Sequence, residues 1–279
     1  MTTLQQIELR CPICDTGFRS QAVVSTNSFG GKRTDFHERA AGTQPLPYLI
    51  HMCSRCGFSG SERDFTEESD VSPVLKEHVW NELAPSIAAG NVVGSEKYEA
   101  AAKVAEWQGT EPRQVADLLL RAAWCCVDEG DVEAERFFRR KAAWKFEESL
   151  SSFDGVPRDE RAVLSYLVGE LWRRIGDLRR AHAWFNRVPG EITDTQTQQW
   201  VIDAARQQRE KRAAGRMRPS GAAVEPCRDV GAPQRVLQQA EVAVRRADEH
   251  GHLVEAHAST RLLQDAARDR GLALGELER

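Results

Sequence analysis

Cys11-Pro12-Ile13-Cys14 and Cys53-Ser54-Arg55-Cys56 each set two thiols two residues apart, and 38 residues separate the pairs. A C-x-x-C spacing holds both sulfurs on one tight turn where backbone N–H groups can also point at them, so each pair is half of a tetrahedral site. Two halves supply four thiolates, the ligand set of a closed structural zinc site that leaves no open position for a substrate. One structural Zn2+ is therefore expected on Cys11, Cys14, Cys53 and Cys56. A thioredoxin-type redox pair would open a helix in an α/β unit, a context neither pair has. Rubredoxin-type iron would use the same sulfurs, but its knuckles usually read C-P-x-C-G. Here Asp15 stands where that glycine belongs and Ser54 where that proline belongs, which favours zinc. His37 and His51 are at most spare ligands and read as structural or exposed side chains.

The elements that must position these thiols follow from their flanks. Ile7-Glu8-Leu9 before the first pair and Tyr48-Leu49-Ile50-His51-Met52 before the second read as short strands, the layout of a zinc ribbon. Residues 25–47, with Gly30-Gly31, Lys32, Arg33, Gly42 and two prolines, read as a long loop outside the core, either a display loop or a solvated excursion. Structural zinc contributes on the order of 10 to 16 kcal/mol in small fingers, more than about 60 residues supply otherwise. The head should melt without its metal.

After Phe65 the pattern turns helical, with Ser72-Pro73 as an N-cap and first-turn proline. Val163, Leu167, Leu171 and Ile175 form an apolar stripe with Leu164, Val168 and Trp172 beside it, while Glu170, Arg173 and Arg174 lie away from it. In "RRIGDLRRAHAWF", Gly176 ends one helix and Asp177 caps the next; Gly130-Asp131 repeats the device, and a looser copy surrounds Gly251. With Gly169 at a small position, Trp172 at an aromatic one, and Ala181 and Phe185 one turn apart, residues 165–188 resemble the tetratricopeptide repeat. The turn glycines lie 46 and then 75 residues apart rather than at the repeat's regular period of about 34, so the stack is irregular.

"CPICDTGF", "PYLIHMCSRCGFSG" and "YLVGELWRRIGDLRRAHAWF", in that order over roughly residues 8–210, resemble the bacterial family Domain of Unknown Function 2225. The resemblance implies a zinc ribbon fused to tetratricopeptide-like helices and assigns no activity. The expected fold class is α+β, mostly α. A small β zinc ribbon spans residues 1–66, a tetratricopeptide-like helical domain 72–214, a flexible linker 215–232 and a C-terminal helical hairpin 233–274.

Outside the cysteines, functional signals thin out. Glu170, Arg173, Arg174 and Trp172 read as the candidate partner-binding set, the arginines gripping a partner's carboxylate, beside the plainer reading of Glu170 and Arg174 as a surface i,i+4 pair. Cys125 and Cys126, adjacent on a helix and about 100° apart, read as packing residues, and Cys227 as a thiol in the linker. Residues 206–218 carry six basic side chains against one acid and read as a solvated helix end running into a linker, ahead of a contact for nucleic acid or an acidic protein. No nucleophile elbow, glycine-rich phosphate loop or H-E-x-x-H motif occurs.

Seven cysteines, four of them paired, point to metal ligation in a reducing compartment, and no stretch approaches the roughly 18 apolar residues of a span, so the cytosol is expected and a membrane is not. A net charge of −4 argues against a phosphate-backbone partner. The expected function is a non-enzymatic scaffold or adaptor for a protein or peptide. The alternative, a nucleic-acid regulator using Lys32, Arg33, Arg39 and Arg55, is weakened by the net of −2 over residues 1–70.

Overall fold

In the computed structural model, which describes residues 1–66, 71–87, 92–152 and 154–214, the first cysteine pair lies in the turn of a hairpin. Strand β1 (Thr3–Arg10) runs antiparallel to β2 (Gly17–Ser25), with Arg10 opposite Gly17 and Leu9 opposite Phe18. The second pair lies between β3 (His51–Met52) and β4 (Ser59–Gly60). The strand expected over residues 48–52 is shorter than its apolar run suggested. Pro45 precedes and Pro47 lies within a 3-10 turn over Leu46–Tyr48, since proline fixes φ near the helical value and cannot donate to a ladder.

The rest is helical. One turn, α1 (Arg63–Thr66), follows β4. Then α2 (Pro73–His78) starts at Ser72, whose hydroxyl accepts from the Leu75 N–H at 3.2 Å, and continues through a π-helical segment over Val79–Leu83. Five longer helices pack as successive antiparallel neighbours: α3 (Gly94–Trp107), α4 (Pro112–Glu129), α5 (Val132–Ser151), α6 (Arg161–Ile175) and α7 (Leu178–Arg187), followed by α8 (Thr195–Ala214) against α6 and α7. No helix among the described residues is long and apolar enough to cross a membrane.

The turns expected at Gly130 and Gly176 form as read. Both glycines are left-handed, at φ 79° and 96°, the conformation that ends a helix and that a Cβ disfavours. Asp131 and Asp177 then cap the next helices, accepting from Ala134 N–H at 2.9 Å and Arg180 N–H at 3.0 Å. The expected linker over 215–232, hairpin over 233–274, Gly251 turn, Cys227 and the end of the basic stretch at 206–218 lie outside the described residues.

Two buried apolar clusters share α3. Leu9, Ile13, Phe58, Phe65, Leu75, Val79 and Leu83 pack with the cysteines against Ala100 and Val104 of α3. The opposite side of α3, through Tyr98, Ala101, Ala102 and Ala105, belongs to the larger cluster of α4 to α8. The cysteine head and the helices therefore meet on one element, α3.

Gly169 shows how tightly the helices approach. A Cβ there would stand 2.6 Å from the Phe185 ring, and Phe185 is buried. Gly169→Ala is expected to lower unfolding stability by about 1 to 3 kcal/mol, the usual cost of overpacking. Adding Phe185→Leu should return part of it. Urea midpoints of the two variants check this, and a single variant as stable as wild type would show that the interface gives way freely.

The residues between the cysteine pairs are not a solvated excursion. Residues 30–39 fold back as a short finger: Gly30 N–H donates to Arg39 C=O at 2.9 Å, Arg39 N–H to Gly31 C=O at 2.9 Å and Arg33 N–H to His37 C=O at 2.8 Å. The tip is buried against the helices, with Asp35, Phe36 and His37 all under one-tenth exposed. The segment is a loop as read, but the solvated reading fails, because its glycines and charges look solvated in isolation whereas Asp35 and Arg39 meet Arg139 and Asp128 from other elements.

Candidate metal centre

The two knuckles are built alike. Cys11 C=O accepts from Asp15 N–H at 2.8 Å while Cys11 N–H donates to Thr16 C=O at 3.0 Å; Cys53 C=O accepts from Gly57 N–H at 3.0 Å while Cys53 N–H donates to Phe58 C=O at 2.9 Å. Both turns need a left-handed residue after the second cysteine, and Asp15 and Gly57 supply it at φ 61° and 77°. Aspartate is among the few side chains that tolerate that conformation. Arg10 holds the Asp15 carboxylate through two bonds of 2.5 and 2.7 Å, so the departure from C-x-x-C-G noted in the sequence leaves the turn intact.

The knuckles bring all four sulfurs within 4.8 Å of one another, with Cys11 to Cys56 and Cys14 to Cys53 at 3.6 Å. Sulfurs at about 2.3 Å around a tetrahedral ion stand about 3.8 Å apart, so this set can hold one metal ion with little movement. Cys11, Cys53 and Cys56 are buried and Cys14 is partly so. S–H groups of Cys11 and Cys56, then backbone N–H groups of Cys56 and Arg55, pull the Cys53 thiol down to about 2. The same sharing with Cys53 pushes Cys11 up to about 12. Among Cys11, Cys53 and Cys56 the thiolate is favoured at Cys53, and a divalent cation would favour ionisation of the others.

Neither nearby histidine adds a ligand. The buried His51 places its Nδ1 2.8 Å from Oγ of the half-buried Ser20. His37 is in the finger, stacked on Trp124 with centroids 5.2 Å apart and planes at 5°.

The finger tip forms a second polar constellation. Asp35, fully buried, takes Arg139 Nη1 at 2.6 Å and the Trp124 indole N–H at 3.3 Å, with Arg174 and Arg33 at 3.6 and 3.7 Å. Arg139, also fully buried, bonds Glu135 at 2.8 Å as well. Burial alone would raise the Asp35 carboxyl, but Arg139, Arg174 and Arg33 together hold it below the ordinary carboxylate range. Thr34 donates to Glu170 at 2.5 Å, accepts from Arg174 at 2.8 Å, and its carbonyl accepts from Tyr166 OH at 2.9 Å. Phe36 meets Tyr166 and Trp200 at ring separations of 5.6 and 6.4 Å. Arg39 pairs with Asp128 at 2.6 Å.

This clasp contains much of the partner-binding set read from the sequence. Glu170 is fully buried and bonds Arg173 and Arg174 at 2.6 and 2.8 Å; it is no surface pair, because the finger covers it. Trp172 is buried, donates to Glu147 at 2.6 Å and carries Arg180 over its ring at 4.4 Å. The basic residues of the nucleic-acid alternative are engaged within the chain as well: Arg33 and Arg39 in the clasp, Lys32 over Phe36 at 6.0 Å and Arg55 over Trp80 at 5.8 Å. Cys125 and Cys126 are buried packing residues, their thiols pushed up chiefly by burial.

Asp35 and Arg139 were missed in the sequence. One signal was present: Arg139 stands at i, i+3, i+4 and i+7 with Ala142, Ala143 and Phe146, in the apolar register of α5. A charge on that stripe requires a buried counter-charge.

His37 gives the clasp a pH signature. Burial is the main cause that lowers its imidazole to about 3; Arg33, Arg39 and Arg139 add to this, and Asp35 opposes it. An unfolded chain takes this proton near 6.5 and the folded one only near 3, so between those values the unfolded state binds more protons and stability falls as pH falls. The contribution is complete above pH 6.5 and declines below it by up to about 1.4 kcal/mol per pH unit. Neither ring nitrogen makes a hydrogen bond, although Nε2 stands 3.8 Å from Asp128 Oδ2, so His37→Phe keeps the stack on Trp124 and loses only that long contact. Urea melts from pH 7 to 5 with metal in excess should show a shallower decline in the variant; equal slopes would place the proton uptake elsewhere.

A family model described as an uncharacterized protein conserved in bacteria (DUF2225) matches residues 4–212. No curated protein and no solved structure matches the chain.

Proposed function

From the premise that this chain belongs to that family of bacterial proteins, whose description carries no activity to transfer, we propose a non-enzymatic, zinc-braced scaffold of the bacterial cytosol that binds another protein or peptide. The observation that carries this reading is the closed four-cysteine cluster, buried against the same helix that begins the larger core. Four thiolates fill a tetrahedral shell and leave the ion no position for a substrate, so its contribution is to hold a surface in place. Soft thiolate donors suit zinc or iron, and the ribbon layout favours zinc. Unpaired buried thiols such as Cys125 and Cys126 accord with a reducing compartment. Of the set Glu170, Trp172, Arg173 and Arg174, the pair Glu170 and Arg174 lies where the helices already hold the finger's Thr34, beside the acidic Asp35 and the aromatic Phe36, and this is the part offered to a partner.

Metal analysis of purified protein is expected to return about one zinc per chain in a colourless sample; a red, iron-containing protein would overturn the metal assignment. Affinity purification with mass spectrometry is expected to recover a reproducible protein partner. Failure to recover any from a metal-loaded chain would count against the scaffold, and binding to DNA or RNA with a steep salt dependence would replace it with the nucleic-acid reading.

A further inference from the structure

The finger lies across α4, α6 and α8, the alternate helices of the stack, and reaches Arg139 of α5 between them. Its contacts are those of a bound peptide more than of a packed turn. Asp35 enters a setting of Arg139, Arg174 and the Trp124 indole, Phe36 rests against Tyr166 and Trp200, and the Thr34 backbone carbonyl is held by Tyr166.

Two observations show that the finger is not shaped for its own stability. Phe36 sits at φ +67°, in the left-handed position of a tight hairpin turn that glycine usually fills and a bulky side chain disfavours. The turn is strained to put an aromatic ring on the helices. The contact is also incompletely satisfied: Asp35 Oδ1, both ring nitrogens of His37, Arg139 Nη2 and Arg39 Nε are buried without a hydrogen-bond partner, in the same small region. Buried orphans of this kind are rare in native interiors, and each calls for an explanation.

We propose that this helical face is a recognition site for an acidic–aromatic segment of a partner protein, and that the finger is its intramolecular occupant. The partner supplies a carboxylate to Arg139 and Arg174 and an aromatic ring to Tyr166 and Trp200, from a backbone free of the left-handed strain at Phe36. The metal centre holds both ends of the segment bearing the finger, so the finger stays at high local concentration and only a partner of matching chemistry displaces it. This inference rests on the scaffold reading and names the chemistry of its partner.

The test uses the full, metal-loaded chain and a fluorescein-labelled synthetic peptide with the sequence of residues 30–40. Phe36→Gly relaxes the turn and removes the ring while leaving the Asp35–Arg139 pair in place. By fluorescence anisotropy this variant is expected to bind the peptide at least about tenfold tighter than wild type, and Arg174→Ala in the same background should abolish the gain. The double variant Asp35→Asn/Phe36→Gly should bind tighter still; if it does not fold, Phe36→Gly alone decides. Equal peptide affinity of wild type and folded, metal-loaded Phe36→Gly overturns the proposal. Partner recovery by both chains in equal yield, together with that result, leaves the scaffold standing and removes the finger from its regulation. Peptide binding with no partner recovered by either chain upholds the face and removes support from the scaffold.

Discussion

Replacing Cys53 with serine is expected to unfold the cysteine head while leaving α4 to α7 folded. Cys53 is fully buried, stands 3.6 Å from Cys14 and is the thiol its neighbours most readily ionise. Losing it opens the shell of an ion whose apparent binding free energy in small domains is on the order of 10 to 16 kcal/mol. Nothing else in the head approaches that: β3 and β4 are two residues each, and β1–β2 is an isolated two-stranded hairpin, marginal in water by itself. The damage should extend to α2 and its continuation, because Leu75, Val79 and Leu83 bury against the cysteine cluster. It should stop at α3, whose other side belongs to the larger core. Hydrogen exchange read by mass spectrometry checks the pattern, with protection lost from residues 1–25, 51–66 and 72–86 and kept in α4 to α7, where Phe36 of the finger is packed. A chelator applied to wild type should reproduce it. A variant that holds no metal yet keeps wild-type protection in the head would show that the ion braces nothing.

The parts of this molecule legible in its sequence are those whose physics is local. A C-x-x-C knuckle closes within six residues, a glycine-to-aspartate helix turn within four, and the approach of α6 and α7 is written in Gly169, Ala181 and Phe185. Each was readable because neighbours in sequence are neighbours in space. The second strand was read too long because apolar alternation was allowed to outweigh two prolines in the same segment. The clasp was not legible for the opposite reason. Asp35 meets Arg139 across 104 residues and Thr34 meets Glu170 across 136, and no period or spacing connects them. Glu170 therefore looked solvated: its helix faces water on that side until a segment from the other end of the chain covers it.

Breaking the clasp is the second change with a large expected effect, and the cost depends on which half is removed. Asp35→Ala leaves Arg139 fully buried with Glu135 as its remaining acid, and removes the shared partner of Arg33, Arg174 and Trp124. A loss of about 3 to 5 kcal/mol is expected, the usual consequence of leaving a buried charge uncompensated. Arg139→Met should cost less, because Asp35 keeps Arg174, Arg33 and the Trp124 indole. The double variant Asp35→Leu/Arg139→Met should be more stable than Asp35→Ala, since two apolar side chains of similar bulk restore much of what an ion pair supplies. Urea melts at pH 7 with metal in excess of wild type, Asp35→Leu, Arg139→Met and the double Asp35→Leu/Arg139→Met, which close a cycle, would give a coupling energy of at least about 1 to 2 kcal/mol. The same asymmetry bears on recognition: an arginine that tolerates another carboxylate but not an empty site lets the finger leave only as a matching acid arrives. Additive effects, or a loss under about 1 kcal/mol for Asp35→Ala, would mean that the finger merely rests on the helices and that its charges meet water instead of one another.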